Sequence, residues 1–254
     1  MGFADHRARM LSGERLAGTF LKTPALELVE VLAGCGLDFI CLDAEHSAFD
    51  RARMDACLAM ARALDFPTLV RVPSASPENI LIALDSGAVG VVCPHIDSAD
   101  KARDAAKAAR FGKGGRGFAG STRWAGYTRS PMEAVLEKSR DETVVLVQIE
   151  EPEGVDAARE IAAVPGVDGL FIGPADLSIS YGQTALGSDI VWSAFERVGT
   201  ATKEAGKAFV SFAATPQAAT AYLKYGVTVF YIGSEHGFIA SGASQVATEV
   251  NALE

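Results

Sequence analysis

The sequence predicts an α/β fold, a single-domain (β/α)8 or TIM barrel, and three observations support this prediction. The chain has 254 residues, which matches one barrel domain of about 250 residues. Short apolar segments alternate with longer segments of helical periodicity along the whole chain. The apolar segments are nearly continuous rather than alternating, which is typical of parallel strands buried on both faces.

Eight segments rich in Val, Ile, Leu and Phe are predicted to be strands, and the first of them is the weakest. They begin near Leu16, Asp38, Pro67, Val89, Val144, Asp168, Ala208 and Val227. Helical patterns such as 98–110 and 152–163 lie between them. Eight evenly distributed strand–helix units favour a closed barrel over an open, doubly wound sheet, which is the competing fold.

A segment dense in Gly, Arg and aromatic residues interrupts this alternation between the fourth and fifth strands, at about 111–130. A long connection without obvious secondary structure is usually either functional or disordered. Two interpretations stay open. The segment is a mobile surface excursion, or it is a lid or subunit-contact loop that brings Arg116 and Arg123 to an anionic group.

Composition and charge narrow the classes of function. The formal net charge is -9, so the surface should repel nucleic acid and anionic membranes, and we expect neither as a partner. The four cysteines lack C-x-x-C spacing, which predicts reduced thiols rather than disulfides. The N-terminus lacks the features of a signal peptide, and no apolar run approaches the roughly 18 residues of a membrane span. We therefore expect a soluble, cytoplasmic protein.

Polar side chains follow directly on several predicted strands. Because the carboxyl ends of barrel strands meet at one rim, we expect these residues to share an active site. Buried charges are costly unless they are paired or bound to metal. The residues concerned are Asp43, Glu45 and His46 after the second strand, Arg71 in the third, His95 after the fourth, Gln148 and Glu150 at the end of the fifth, and Gly173, Pro174, Ala175 and Asp176 after the sixth.

Glu150 and Asp176 are the predicted metal ligands. Two carboxylates from neighbouring strands suit a divalent cation such as Mg²⁺, Mn²⁺ or Co²⁺, whereas no Cys/His spacing suggests zinc. For either carboxylate alone, a salt bridge or a helix cap is the alternative. Gln148 precedes Glu150 by two residues and so shares its strand face, where its amide can orient a ligand water or contact the substrate.

His46 and Arg71 are the predicted catalytic residues. An imidazole can accept and return a proton near neutral pH, which makes His46 the candidate base. Arg71 is a permanent charge in an apolar strand; it either stabilises an enolate or a carboxylate, or forms an ion pair in the barrel. Backbone N–H groups in the segment 173–176, apart from that of proline, can hold a small carboxylate.

The order of these motifs resembles the HpcH/HpaI aldolase family. That family comprises class II pyruvate aldolases such as 4-hydroxy-2-oxoheptanedioate aldolase and 2-dehydro-3-deoxyglucarate aldolase. The resemblance covers about residues 15–240. The segments that carry it are DAEH, LVRVP, LDSGAVGVVCPH, GGRG, VQIE and GVDGLFIGPADLS.

The resemblance implies an aldolase that cleaves and forms 4-hydroxy-2-oxo acids, giving pyruvate and an aldehyde through a metal-bound pyruvate enolate. It also implies a homohexamer, a trimer of dimers, in which the last helix at about 236–252 is exchanged between subunits. The roles that it implies are Glu150 and Asp176 as metal ligands, Gln148, Ala175 and Asp176 as contacts of the pyruvate portion, Arg71 at the enolate, and His46 as a base made more basic by Asp85.

Two segments depart from the family pattern. Residues 151–153 read Glu-Pro-Glu, which we expect to alter the start of the next helix rather than the metal site. Residues 233–237 read Gly-Ser-Glu-His-Gly, which leaves His236 as no more than a helix-start residue.

Three other functions stay open. One is a class I aldolase with a Schiff-base lysine, for which Lys22 is the only well-placed candidate. The second is a CoA-ester lyase of the citryl or malyl type, although no nucleotide-binding feature is evident. The third is a non-catalytic barrel that acts as a binding protein, because fold alone does not prove function.

Overall fold

Eight parallel strands close into a barrel in sequence order in the computed structural model, which describes residues 2–253. The predicted barrel is confirmed and the open sheet is wrong, because the eighth strand pairs with the first. The strands are β1 (Leu16–Leu21), β2 (Phe39–Asp43), β3 (Thr68–Arg71), β4 (Gly90–Cys93), β5 (Val144–Ile149), β6 (Gly169–Ile172), β7 (Ala208–Ala213) and β8 (Val229–Ser234).

Helices cover the outside of the barrel. Ser76 and Asp50 cap two of them by accepting hydrogen bonds from backbone N–H groups three residues on. The helices are α1 (Phe3–Leu11), α2 (Leu26–Ala33), α3 (Arg51–Ala63), α4 (Pro77–Asp85), α5 (Ala99–Ala109), α6 (Met132–Glu142), α7 (Pro152–Asp156), α8 (Ala158–Ala162), α9 (Pro174–Ser180), α10 (Asp189–Glu204), α11 (Pro216–Ala219), a 3₁₀ helix (Thr220–Tyr225) and α12 (Glu235–Asn251).

Aromatic rings fill the interior of the barrel. The ring of Tyr231 lies 4.7 Å from that of Phe171, 4.9 Å from that of Phe39 and 5.0 Å from that of Phe20, measured between centroids. Gly18 makes this packing possible, because a Cβ at that position would lie 2.4 Å from the ring of Phe39. The interior of the barrel is thus a packed core.

The amino ends of the strands are closed by α1. His6 lies buried against the ring of Phe39, at 5.3 Å between centroids. Burial, together with the charge of Arg9, lowers the pKa of His6 to about 4. Asp168 is also buried at this end, where it pairs with Arg7 at 2.6 Å and Arg110 at 3.0 Å.

The glycine-rich segment at 111–130 lies between α5 and α6, at the amino end of the barrel. A lid over the rim of the same chain is therefore ruled out. Two of its arginines find carboxylates within the chain: Arg116 pairs with Asp85, and Arg123 pairs with Asp55 at 2.8 Å. These arginines thus brace the segment against α3 and α4.

Across residues 2–253, no helix is both long enough and apolar enough to cross a membrane.

Candidate active site

The carboxyl ends of the strands surround a cavity of about 200 Å³. Most of the predicted site residues contribute to its wall, together with three phenylalanines that the sequence reasoning did not single out. The lining residues are Phe20, Lys22, His46, Arg71, Gln148, Phe171, Gly173, Pro174, Ala175, Asp176 and Phe212.

One side of the cavity, from β1 to β3, is built around the carboxylate of Asp43, the last residue of β2. Arg71 donates to both of its oxygens, from Nε at 3.0 Å and from Nη2 at 2.8 Å. Lys22 Nζ lies 2.7 Å from Oδ2. Burial alone would raise the pKa of Asp43, but Arg71 and then Lys22 outweigh that effect and lower it to about 2. Asp43 is therefore ionised and fixes the guanidinium of Arg71 in one orientation.

His46 stands at the mouth of the cavity, with 57% of its side chain exposed. Its backbone N–H donates to Asp43 Oδ1 at 3.1 Å, which fixes the start of the β2–α3 loop. Its Nε2 lies 3.8 Å from Oε2 of Glu45, too far for a direct hydrogen bond. Among the described residues, Glu45 nevertheless has the carboxylate nearest to the imidazole ring of His46.

Asp85 does not reach His46 within one chain, and the expected pairing is corrected on that point. Asp85 ends α4, which runs back from the rim to the amino end of the barrel. There its carboxylate accepts hydrogen bonds from Arg116 Nε and Nη2. Within one chain, Asp85 thus lies away from His46, and a role for it as the partner of His46 stays a prediction.

The other side of the cavity, from β4 to β6, is acidic and centres on the buried Glu150. The backbone N–H of His95 donates to Oε1 of Glu150 at 2.9 Å. His95 Nδ1 lies 3.1 Å from the same oxygen and 2.7 Å from Oε1 of Glu151, and its Nε2 lies 3.4 Å from Oε1 of Glu45. His95 has a positive φ of 56°, a strained conformation for a residue other than glycine. Three carboxylates thus converge on one imidazole.

Gln148 and Gly173 shape the remaining face of Glu150. Gln148 Nε2 donates to Oε2 of Glu150, whereas Oε1 of the same amide has no partner although the residue is only 2% exposed. A Cβ at Gly173 would lie 3.2 Å from Gln148 Nε2 and 3.3 Å from Glu150 Oε2. The glycine therefore keeps a space open beside these polar atoms.

A divalent cation fits this acidic side. Burial raises the pKa of Glu150, and the charges of Asp176 and Glu45 add to the increase against the opposing effect of His95. Asp176 therefore lies within electrostatic reach of Glu150, as the sequence predicts for two metal ligands. His95, Glu150 and Glu151 also offer ligand atoms within 4.8 Å of one another. The surplus of carboxylates and the orphaned Gln148 oxygen are both satisfied by a cation with its ligand water.

The structure shows which backbone N–H groups of the segment 173–176 are free to hold a carboxylate, as the sequence predicts for this segment. Gly173 N–H is already used, since it donates to the carbonyl of Ile149 at 3.2 Å, and Pro174 has no N–H. The first helical hydrogen bond of α9 starts from Leu177. Ala175 and Asp176 thus provide the free N–H groups of this segment.

The ion pair of Lys22 argues against a class I mechanism. A Schiff-base lysine must be a neutral amine in order to attack a carbonyl group. Lys22 Nζ is instead engaged in an ion pair with the fully buried Asp43, at 2.7 Å.

The model of the HpcH/HpaI aldolase/citrate lyase family matches residues 16–241. The chain belongs to this family. A hydroxypyruvate/pyruvate aldolase of Paraburkholderia phytofirmans is 31% identical over 252 residues, with 96% of each chain covered. A 4-hydroxy-2-oxo-heptane-1,7-dioate aldolase of Shigella sonnei is 32% identical, with 97% of this chain and 94% of the relative covered.

A solved structure of an HpcH/HpaI aldolase/citrate lyase family protein from Burkholderia cenocepacia J2315 superposes with a TM-score of 0.91. It is 33% identical and covers 97% of this chain and 98% of its own. The predicted family is confirmed, and so is the predicted enzyme class, because aldolases are carbon–carbon lyases.

His95 and Glu45 are among the residues that the sequence predicts at the rim, but it predicts no role for His95. The signal for His95 was its place directly after an apolar strand, shared with Arg71 and Glu150. The three phenylalanines of the cavity gave no signal, because an aromatic residue in a strand is expected in the core.

Proposed function

We propose that this chain is a metal-dependent aldolase that cleaves and forms 4-hydroxy-2-oxo acids, with pyruvate and an aldehyde as the other reactants. The observation that carries the proposal is the pair Glu150 and Asp176, set beside an unpartnered Gln148 oxygen in the cavity that also contains Arg71. The activities named for two relatives support the same reaction class.

Glu150 and Asp176 are the residues that would hold the metal. Their oxygens suit Mg²⁺, Mn²⁺ or Co²⁺. A bound dication supplies a Lewis acid that polarises the 2-oxo group of the substrate. The neighbouring group of His95 and Glu151 is a competing position, and a nitrogen ligand there would favour a softer metal.

Arg71 stabilises the negative charge that develops on the 2-oxo oxygen as the C3–C4 bond breaks. Asp43 occupies Nε and Nη2, which leaves Nη1 for the substrate. The guanidinium also lies over the ring of Phe20, at 4.5 Å from the centroid. It is thus oriented before the substrate arrives, which is the condition for strong electrostatic catalysis.

His46 takes the proton of the C4 hydroxyl group, and Ala175 and Asp176 hold the carboxylate of the pyruvate portion. The exposed imidazole can exchange its proton with solvent, directly or through a water molecule. The two free N–H groups lie at the start of α9, beside the cavity wall formed by Gln148 and Gly173.

The chain acts as a homo-oligomer, a hexamer with exchange of α12. Glu235 alone is buried among the residues of this helix, whereas Phe238, Ile239, Val246 and Val250 are exposed. An isolated helix with so many exposed apolar side chains is stabilised by packing on another surface. Val246→Glu combined with Val250→Glu should lower the molar mass measured by light scattering.

A panel of 4-hydroxy-2-oxo acids tests the proposal. We expect pyruvate release that is abolished by EDTA and restored by Mg²⁺, Mn²⁺ or Co²⁺. Cleavage of a citryl- or malyl-CoA thioester, without release of pyruvate from any member of the panel, would contradict it. The small cavity of about 200 Å³ favours the oxo acid.

A further inference from the structure

Lys22 projects a charged group into the cavity on the side away from the proposed metal ligands. It follows β1, whereas Gln148 and Glu150 lie at the end of β5, and these two strands are opposite each other in the eight-stranded barrel. Its side chain is 28% exposed. An ammonium group has three hydrogens, and the described contacts assign one of them, to Asp43 at 2.7 Å. Two remain for a ligand.

Lys22 shares its partner Asp43 with Arg71, which already takes both carboxylate oxygens. Arg71 has a second carboxylate beside it, since its Nε lies 3.4 Å from Oε2 of Glu45, whereas Asp43 is the one side-chain partner of Lys22 Nζ among the described residues. Lys22 Nζ therefore keeps N–H donors for an anion that enters the cavity.

The backbone of Lys22 is held by the start of the last helix. Glu235 is 2% exposed, and its carboxylate accepts from Lys22 N–H at 3.0 Å and from Thr23 N–H at 2.6 Å. His236 Nε2 lies 2.8 Å from Thr23 Oγ1. Glu235 and His236, which depart from the family pattern, thus fix the β1–α2 loop and the direction of Lys22.

We infer that Lys22 is a specificity residue that binds an anionic substituent, a carboxylate above all, on the aldehyde half of the substrate. The inference rests on the proposed function. A substrate whose pyruvate portion lies beside Gln148 and Asp176 directs its other end across the barrel towards β1. Lys22 is the cation that this end meets, and Glu235 is a positioning residue for it.

The test compares two aldehydes of four carbons in aldol addition to pyruvate: 4-oxobutanoate, which carries a carboxylate, and butanal, which does not. Lys22→Met should lower kcat/KM for 4-oxobutanoate by about 10- to 100-fold, mainly through KM, since a hydrogen bond to a charged group contributes about this much. Its kcat/KM for butanal should fall by a smaller factor, so that the ratio of kcat/KM for 4-oxobutanoate to that for butanal falls by about 10-fold. Lys22→Arg should restore most of the preference.

Lys113→Met is the matched control, because Lys113 is exposed on the 111–130 segment and lies outside the cavity. It should leave both aldehydes unaffected. Glu235→Gln should weaken the preference for 4-oxobutanoate in the same direction as Lys22→Met, with circular dichroism unchanged.

An equal loss with both aldehydes, or no loss with either, overturns the inference about Lys22 while the aldolase proposal stands. Failure of the unmodified enzyme with every aldehyde overturns the aldolase proposal instead. The two failures are therefore distinguishable in one set of assays.

Discussion

Asp168 at the amino end of the barrel and the polar residues at its carboxyl end are buried alike, but their oxygens are satisfied differently. At the amino end, Asp168 is 2% exposed, and both of its oxygens are satisfied by Arg7, Arg110 and the N–H of Val145. At the carboxyl end, buried oxygens of Glu45, Gln148 and Glu151 have no hydrogen-bond partner.

Unsatisfied buried polar atoms cost free energy, and a ligand can remove that cost only where it can reach them. Arg116 and Glu142 also have unpaired buried atoms, but neither residue lines the strand-end cavity, whereas Gln148 does. An unpaired polar atom therefore indicates a functional site where it also borders this cavity. Changes at the two ends should therefore damage different properties of the enzyme.

Removal of a proposed metal ligand should have the largest effect. We expect Asp176→Asn and Glu150→Gln each to lower turnover by at least about 10³-fold, because a metal ion contributes several kcal/mol of transition-state stabilisation. Both variants should lose affinity for Mn²⁺ in a titration followed by electron paramagnetic resonance. Glu153→Gln, an exposed carboxylate close in sequence, is the control and should retain both properties. If both site variants retained their affinity for Mn²⁺, the proposed metal site at the carboxyl end of the barrel would be wrong.

The corresponding change at the amino end should affect stability instead. Asp168→Asn leaves two partly buried arginines without a counter-charge, and we expect it to lower the free energy of unfolding by about 3 kcal/mol. Chemical denaturation measures this loss. The kcat of the folded fraction should stay unchanged, and a large fall in kcat would show that satisfied charges also serve catalysis.

The shape of Arg71 provides the next comparison. Arg71→Lys keeps the charge but loses the two-pronged contact with Asp43, and we expect kcat to fall by about 100-fold, as for loss of one donor to a developing oxyanion. Arg7→Lys makes the same change at the amino end and should leave kcat intact. Steady-state kinetics of both variants on one substrate decide the matter. If Arg71→Lys kept the same kcat as Arg7→Lys, Arg71 would have no role in the reaction.

The smallest effect concerns pH at the amino end. The pKa of His6 is lowered from 6.5 to about 4, so the unfolded chain binds a proton more readily than the folded protein. Stability is therefore full above pH 6.5 and is lost as the pH falls towards 4, with about 2 kcal/mol gone at pH 5. His6→Leu should lose less stability than the unmodified protein between pH 7.5 and pH 5, as measured by urea denaturation. Equal losses would contradict this role of His6.

The sequence was sufficient for the barrel because strand burial depends on local composition. The five strands from β2 to β6 are buried on both faces, and the predicted starts of all eight agree with the observed strands to within about two residues, the usual margin for element boundaries. The same strand pattern predicts that Arg71, Gln148 and Glu150 lie at the rim, since each stands at or near the end of a strand.

The remaining features depend on the course of helices and loops. Asp85 is the last residue of α4 and lies shortly before the start of β4, so it stands at the amino end of the barrel. Arg116 and Arg123 of segment 111–130 pair there with carboxylates distant in sequence. The bond from Glu235 to the backbone of Lys22 joins residues 213 positions apart, and no local pattern reports such a contact.

Anomalous diffraction from a crystal soaked with Mn²⁺ and pyruvate tests the central claim most directly, namely that Glu150 and Asp176 hold the metal that activates the 2-oxo acid. We expect one anomalous peak at about 2.1 Å from a carboxylate oxygen of each residue, with pyruvate in contact with the ion. A peak among His95, Glu150 and Glu151 that does not touch Asp176, or no peak at the rim, would contradict it.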